Sequence, residues 1–161
     1  GTFNSAGNFG GGDLPNLSDK VMGIVNTDVF LAKLDKDFKH ILSKAYGPFN
    51  APSPWDTRIA SDSKGNVVIA GGLPAAGVDF GFGKVTGTRF IAKLAPDATP
   101  LWARGTTGYV PPYKGDAARY ELISHDDCPA LVGYTTTSVD FGGGPLMSNG
   151  KKDGVLVIFN P

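Results

Sequence analysis

The chain has 161 residues, the length of one ordinary domain, and 41 % of them are hydrophobic, which is enough to build a core. Its 15 lysine and arginine residues balance 15 aspartate and glutamate residues, so the formal net charge is zero and there is no basic field for a nucleic acid or an anionic membrane. No stretch reaches the roughly 18 consecutive apolar residues of a membrane-spanning helix, and the single cysteine excludes an internal disulfide.

A glycine-rich triplet occurs three times along the chain, and an apolar run follows each copy after a variable polar stretch. The triplets are Asn-Phe-Gly at 8–10 and Asp-Phe-Gly at 79–81 and 140–142, and the runs lie at 30–34, 90–94 and 155–159. Self-similarity at a period of about 60 to 70 residues is the signature of a repeat architecture.

The apolar run is the first predicted strand of each repeat. Residues 30–34 and 90–94 both alternate Phe, Ala and Leu with an aliphatic residue and lysine, and a period of two is typical of a half-buried strand. A short polar turn with the composition of a hairpin loop follows each run. The second predicted strand then lies at 41–46, and its counterpart at 101–104.

The third predicted strand lies at 66–71 in one repeat and at 129–134 in the next. The fourth is the stretch around the triplet, where the phenylalanine ring is expected to be a buried anchor. The flanking glycines indicate a bulge or a close backbone approach. The recurring carboxylates Asp79 and Asp140 are expected to orient a turn there.

Four short antiparallel strands per repeat are the unit of a β-propeller blade. The predicted fold is therefore all-β and β-propeller-like, with four-stranded antiparallel blades, about two full repeats and partial flanking blades. The division comprises a partial blade at 1–27, blades at 28–87 and 88–150, and a trailing strand at 151–161. Since closed propellers have four to eight blades, we expect a segment of a longer protein, or assembly with further copies of the chain.

The order of residues in the repeat resembles that of the bacterial SBBP-type β-propeller repeats. Residues 28–35, 62–71 and 139–144 carry the match, which extends over nearly the whole chain. The resemblance implies an extracytoplasmic protein (secreted, periplasmic or on the cell surface) and long arrays of repeats, but no particular activity. The chain departs from the pattern at Ala95 and over 124–129.

No motif in the chain predicts catalysis or a cofactor. The Asp-Phe-Gly triplet also occurs in protein kinases, but the rest of that signature is missing. His40 and His125 have no partner at catalytic or metal-binding spacing, and no serine lies in a nucleophile elbow. No metal site is predicted either, because no alternating calcium loop is present, although incidental calcium in a polar turn stays open.

The candidate ligand-binding residues are aromatic and lie in two long, proline-containing connections. Phe49 and Trp55 belong to the connection between the second and third strands of the first full repeat, and Tyr109 and Tyr113 to the equivalent one. Loops on a rigid scaffold concentrate binding residues, and Trp and Tyr give contact area at low entropic cost. The alternative is that these rings cap the core or cover the edge of a blade.

The sequence therefore predicts a non-enzymatic repeat module for protein binding or structural attachment in a secreted or surface-associated bacterial protein. Its partner would be another protein or further copies of itself. The first alternative is a carbohydrate-binding propeller lectin with a glycan partner, which is disfavoured because Trp55 and Trp102 are not equivalent repeat positions. A hydrolase ranks third, because it needs converging carboxylates and only Asp79 and Asp140 recur.

Overall fold

A computed structural model describes residues 1–18, 26–49, 57–108, 120–125 and 127–160. In these ranges the chain forms strands and no helix, and so it has no helical segment that could cross a membrane there. The predicted all-β class is confirmed. The strands are β1 (Thr2–Phe3), β2 (Gly7–Asn8), β3 (Asp13–Leu14), β4 (Asp28–Leu34), β5 (His40–Tyr46), β6 (Arg58–Ser61), β7 (Val67–Gly72), β8 (Val78–Asp79), β9 (Lys84–Val85), β10 (Arg89–Leu94), β11 (Pro100–Gly108), β12 (Tyr120–His125), β13 (Cys128–Thr135), β14 (Val139–Asp140), β15 (Pro145–Leu146) and β16 (Asp153–Ile158).

Three antiparallel sheets contain the longer strands. The first sheet has the order β1-β4-β5, and the third sheet has the order β12-β13-β16. The middle sheet has the order β6-β7-β10-β11, and the small hairpin β14-β15 extends it through pairing of β14 with β11. Two further hairpins, β2-β3 and β8-β9, stand by themselves. No closed sheet occurs among the described strands.

The two predicted hairpins between first and second strands form with the same geometry. β4 pairs with β5 and β10 with β11, and both ladders shift register one residue before the turn, at Lys33/Leu34 and Lys93/Leu94. Both turns also place a non-glycine residue at positive φ, Phe38 at 60° and Ala98 at 64°. The shared irregularities indicate that the two hairpins are copies of one structural unit.

The grouping of strands into sheets differs from the predicted one. β7, the third predicted strand of the first full repeat, pairs along its whole length with β10 of the next repeat, from Val67↔Leu94 to Gly72↔Arg89. Its other neighbour is β6, a short strand that the sequence did not predict. The middle sheet therefore extends from β6 to β11, across the predicted boundary between residues 87 and 88. Local hairpin signals cannot reveal this pairing, because it joins strands on either side of a 73–88 connection.

Each triplet lies at the tip of a small hairpin. The hairpin in that connection, β8-β9, is separate from the larger sheets, whereas β14 of the third triplet pairs with β11. In β8-β9, Asp79 Oδ1 accepts the amide hydrogens of Gly81 (2.6 Å) and Gly83 (3.1 Å). The equivalent bonds join Asp140 Oδ1 to Gly142 (2.7 Å) and Gly144 (3.1 Å), and Asn8 Oδ1 to Gly10 (2.8 Å). The side chain that begins each triplet thus orients a turn, as predicted.

The phenylalanine of the triplet is buried, as predicted for an anchor, in the second and third copies, and Phe9 of the first copy is partly buried. Phe80 is 2 % exposed, and its ring centroid lies 4.7 Å from that of Phe90 at the start of β10. In the first copy, Phe9 stacks on the equivalent Phe30 at 4.6 Å. Phe141 is also buried. The ring thus fixes the first and second small hairpins to the strand that follows each of them.

The middle sheet is buried on both faces. Ile69, Phe90 and Leu94 point towards the first sheet and share a core cluster with Val29 and Leu31 of β4. The opposite face of the sheet carries Val68, Ala70 and Ile91, which share a second cluster with residues of the third sheet, namely Leu122, Leu131, Val155 and Phe159. The repeated sheets therefore stack face to face, because neither face of the middle sheet could be left to water.

The glycine tips approach the start of a neighbouring strand in two of the three hairpins. A Cβ on Gly81 would lie 2.7 Å from Cγ of Pro100, the first residue of β11, and a Cβ on Gly11 would overlap the ring of His40, the first residue of β5. A Cβ on Gly142 would meet nothing within 4 Å. Both Gly81 and Gly142 have positive φ, at 110° and 98°.

This difference predicts that Gly81→Ala destabilises the chain more than Gly142→Ala does. Both substitutions place a Cβ in a backbone region that L-residues rarely adopt, at a cost of about 1–3 kcal/mol. Only Gly81→Ala also overlaps the ring of Pro100, which adds about 1 kcal/mol or more. Urea unfolding of both variants measures the difference, and equal losses would contradict the close approach.

Candidate binding surface

Phe49, one of the predicted ligand-binding residues, is a core residue. Its side chain is 0 % exposed and belongs to the cluster between the first and middle sheets, where its ring centroid lies 5.9 Å from that of Phe90. Its amide donates hydrogen bonds to Asp28 Oδ1 and Ser18 Oγ, both at 3.1 Å. The ring therefore caps the core, which was the alternative to ligand binding, and it presents no surface to a ligand.

Trp55, Tyr109 and Tyr113 lie outside the described residues, and their role in ligand binding remains a prediction. Their two connections have a different place in the fold from the one expected. They join β5 to β6 and β11 to β12, and each therefore leads from one sheet to the next.

The buried carboxylate of Asp28 belongs to the core architecture. It is 0 % exposed and accepts hydrogen bonds from the amides of Leu17 (2.5 Å) and Ser18 (2.8 Å), as well as from the Ser18 hydroxyl (2.5 Å) and the Phe49 amide. Both oxygens are thus engaged by groups of the chain itself. The arrangement holds two connections together and leaves no lone pair aimed at a ligand.

A buried ion pair joins β10 to the turn between β6 and β7. Lys93 Nζ lies 3.1 Å from Asp62 Oδ2, and the two side chains are 5 % and 0 % exposed. Burial alone would raise the pKa of Asp62, but hydrogen bonds from Asn66 and Lys93 and the charge of Lys93 outweigh it and lower the pKa to about 2. Asp62 is therefore ionised at neutral pH and is unsuited to act as a general acid.

Asp62 lies beside a polar depression of about 480 Å³ whose other carboxylate is also engaged. Asp127 Oδ1 accepts hydrogen bonds from the hydroxyl (2.7 Å) and amide (2.9 Å) of Ser63, and these bonds lower the pKa of Asp127. Lys93 also reaches the Asp127 carbonyl at 3.4 Å, which ties the middle sheet to the turn before β13. The depression is lined by a structural network.

The third sheet exposes an apolar face, here called the outer face, formed by Ile123, Val132, Leu156 and Ile158. These side chains are 45 %, 41 %, 60 % and 63 % exposed. They share one face because Ile123 and Ile158 are cross-strand partners of Ala130, and Leu156 is the partner of Val132. By register Leu156 corresponds to Ile91, which the third sheet covers completely. The outer face is thus the counterpart of a face that is buried in the middle sheet.

A groove of about 540 Å³ extends along the free edge of β16. One wall is formed by Trp102 and Arg104 of β11, and the other by the end of β16. The glycine tip at 142–144 closes one end, together with Phe141 and Leu146. β16 is the edge strand of the third sheet, and the groove follows the edge that β4 and β10 present to β5 and β11. It combines apolar side chains with unpaired backbone groups.

The sequence of the last apolar run distinguishes this surface from its counterparts. The run 155–159 is apolar at every position, whereas 30–34 and 90–94 carry a lysine. A continuous apolar run is typical of a strand that is covered on both faces. In β16 only one face is covered. Leu156 and Ile158 on the other face are the apolar residues that the run leaves exposed.

Metal chemistry finds no support in the described ranges, where no three His, Cys, Asp or Glu residues are grouped closely enough to hold an ion. The chain matches no known family model, and no curated protein matches it either. The outer face and the groove are therefore the features from which a function can be inferred.

The Lys93–Asp62 pair predicts a defined loss of stability in acid. Because the pKa of Asp62 is depressed from 3.8 to about 2, its contribution is present above pH 3.8 and is lost as the pH falls towards 2. We expect Asp62→Asn to lose less free energy of unfolding over this interval than the unsubstituted chain does. Chemical unfolding at pH 7 and at several values between 4 and 2 measures the loss.

Asp37→Asn is the matched control, because Asp37 is exposed in a turn and pairs only with the neighbouring Lys36 at 3.0 Å among the described residues. An acid-induced loss in Asp62→Asn as large as that of the unsubstituted chain would contradict the assignment.

Proposed function

We propose that the chain is a non-enzymatic, β-propeller-like repeat module that binds protein by stacking its sheets on further copies of the same repeat. The observation that carries the proposal is the outer face of the third sheet, which leaves exposed what the middle sheet buries. The resemblance to bacterial SBBP-type repeats supports a role in structural attachment, in an extracytoplasmic protein.

The chemistry of the outer face supports a sheet as its partner. The equivalent face of the middle sheet packs Val68, Ala70 and Ile91 against the third sheet, with 0 %, 5 % and 0 % exposure. A contiguous apolar patch on a soluble chain marks an interaction site, and burial of each large aliphatic side chain contributes roughly 1.5–3 kcal/mol. A sheet of the same repeat type would cover the outer face as the third sheet covers the middle one.

The states of the carboxylates argue against a hydrolase. Asp79 and Asp140, the recurring carboxylates, bind the amides of their own hairpin tips. Asp28 and Asp62 are buried in hydrogen-bonded networks, and Asp62 is ionised. A glycosidase-type mechanism requires a carboxyl group that faces a substrate, whereas these four bind groups of the chain itself.

A carbohydrate-binding role is a second candidate, favoured by one observation. Trp102 lines the groove beside Arg104, and its ring lies over that of Phe159 at 6.1 Å. An aromatic platform next to a polar side chain is a common way to bind a sugar ring. The site would occur once in the described part of the chain, since the equivalent position in β5 is Leu42.

The stacking proposal predicts that the mass of the chain in solution depends on the outer face. We expect the unsubstituted chain to form a discrete dimer or higher oligomer in multi-angle light scattering. Ile123→Lys and Val132→Lys should shift it to monomer, because a lysine on the outer face cannot be buried without a partner.

Ile59→Lys on β6 is the matched control, because Ile59 is 61 % exposed and lies on a different sheet. A monomer at all concentrations, or an oligomer that both outer-face variants leave intact, would overturn the stacking proposal. Binding on a glycan array that Trp102→Ala abolishes would favour the second candidate.

A further inference from the structure

The three equivalent strands β4, β10 and β16 differ in whether a further strand lies beside them. In the first sheet β5 lies beside β4, and in the middle sheet β11 lies beside β10. In the third sheet no described strand lies beside β16, and the groove occupies that position. The first two sheets therefore show what fits the groove.

We propose that the groove beside β16 is an acceptor site for one extended β-strand of the β5 and β11 type, supplied by a further repeat. The inference deepens the proposed function, because it names the segment that binds and the edge that receives it. It concerns backbone pairing at the β16 edge and does not require the outer face to be covered.

The backbone of β16 is arranged to receive such a strand. The Phe159 amide donates a hydrogen bond to the Pro129 carbonyl of β13 at 2.8 Å, and the Phe30 amide, at the position of Val155, likewise donates to the Gly1 carbonyl at 2.9 Å. Successive residues of an antiparallel strand direct their backbone groups to opposite sides. Those of Leu156 and Ile158 therefore point into the groove.

The glycine tip at 142–144 provides the second argument. In the complete sheets the equivalent tips abut the first residue of the neighbouring strand, where a Cβ on Gly81 would lie 2.7 Å from Pro100 and a Cβ on Gly11 would overlap His40. Cβ atoms on Gly142, Gly143 and Gly144 would meet nothing within 4 Å. The third tip has the geometry of the others and lacks the residue that they contact.

The facing wall provides the third argument. Between the first and middle sheets, Leu42 of β5 faces the middle sheet and packs against the same core cluster as Ala103 of β11. Trp102 is the residue of β11 at the position of Leu42, and it lines the groove with Arg104. A strand in the groove would therefore lie against Trp102, in the place that β11 has in the cluster that contains Leu42.

The two existing strands define the occupant. Both begin with a ring at the glycine tip, His40 or Pro100. Both place a basic residue opposite an aliphatic one: Lys44 is the partner of Leu31 in β4, and Arg104 is the partner of Ile91 in β10. The occupant is thus an extended segment of about seven to nine residues with a basic side chain opposite Leu156, by analogy with β5 and β11.

The test uses the chain itself and a fluorescein-labelled synthetic peptide with the sequence of residues 38–46, which contains no tryptophan. We expect saturable binding by fluorescence anisotropy. In amide hydrogen exchange, the peptide should protect Leu156 and Ile158 and leave Val155 and Val157, which already pair with β13, unchanged. Binding without this alternating protection, or equal binding of a scrambled peptide, would overturn the proposal.

Substitutions at Leu156 separate backbone pairing from side-chain contact. Leu156→Ala keeps the amide that points into the groove, whereas Leu156→Pro removes it, and proline is tolerated on edge strands. We expect Leu156→Pro to bind the peptide about tenfold more weakly than Leu156→Ala. Equal affinities would show that the edge is not used.

Gly142→Ala is a further variant, because its added Cβ meets nothing in the chain itself and its cost to folding comes only from the positive φ of 98°. It should weaken peptide binding about fivefold or more, since the first residue of the incoming strand would meet the new methyl group. Affinity equal to that of the unsubstituted chain would overturn the tip contact.

The outcomes also separate this inference from the proposed function. Peptide binding by a chain that stays monomeric would retain the acceptor strand and overturn stacking. An oligomer that depends on Ile123 and Val132, but does not bind the peptide, would retain stacking and overturn the acceptor strand.

Discussion

The contact between a glycine tip and the first residue of the neighbouring strand is the constraint that the repeat depends on. Asp79 holds the tip by accepting two glycine amides, and Phe80 fixes the hairpin to Phe90. The tip can then approach Pro100 so closely that a Cβ on Gly81 has no room. One triplet thus specifies a turn, an anchor and a distance, which explains why asparagine can replace aspartate at position 8 while phenylalanine and glycine recur.

The stacking of sheets follows from the burial pattern along the equivalent strands β4, β10 and β16. Phe90 and Leu94 belong to one core cluster and Ile91 to the other, so β10 needs a neighbour on both faces. β16 has the same register with β13 as β10 has with β7, but Leu156 and Ile158 stay exposed. In the middle sheet β10 is paired on both edges and covered on both faces. In the third sheet one edge of β16 has no described partner strand and its outer face is exposed.

Local sequence signals predicted the parts of the fold that depend on neighbouring residues. The alternation in 30–34 and 90–94 and the polar turns after them predicted two hairpins. The triplet predicted an oriented turn, with a ring that is buried in two of the three copies. The sequence did not reveal that β7 pairs with β10. The β8-β9 hairpin lies between them along the chain, and its residues predicted a fourth strand. The short strand β6 was missed since Arg58–Ser61 has only one large apolar residue. Phe49 was proposed as a ligand contact, although the buried Asp28 draws its amide into the core. The groove could not be predicted, because it is defined by tertiary packing.

Lys33 and Lys93 of the apolar runs each bond to the sheet that follows their own. Lys33 reaches the Pro96 carbonyl at 3.2 Å and Lys93 reaches the Asp127 carbonyl at 3.4 Å, and each carbonyl lies in a turn of the following sheet. The corresponding residue of β16 is Ile158, which can donate no such bond. A duplicated middle repeat would therefore find a lysine donor when inserted after the first or middle sheet, and none when placed after the third. A repeat that stacks on the outer face would therefore be held there by apolar contacts with Leu156 and Ile158, without the lysine bond that joins the other sheets.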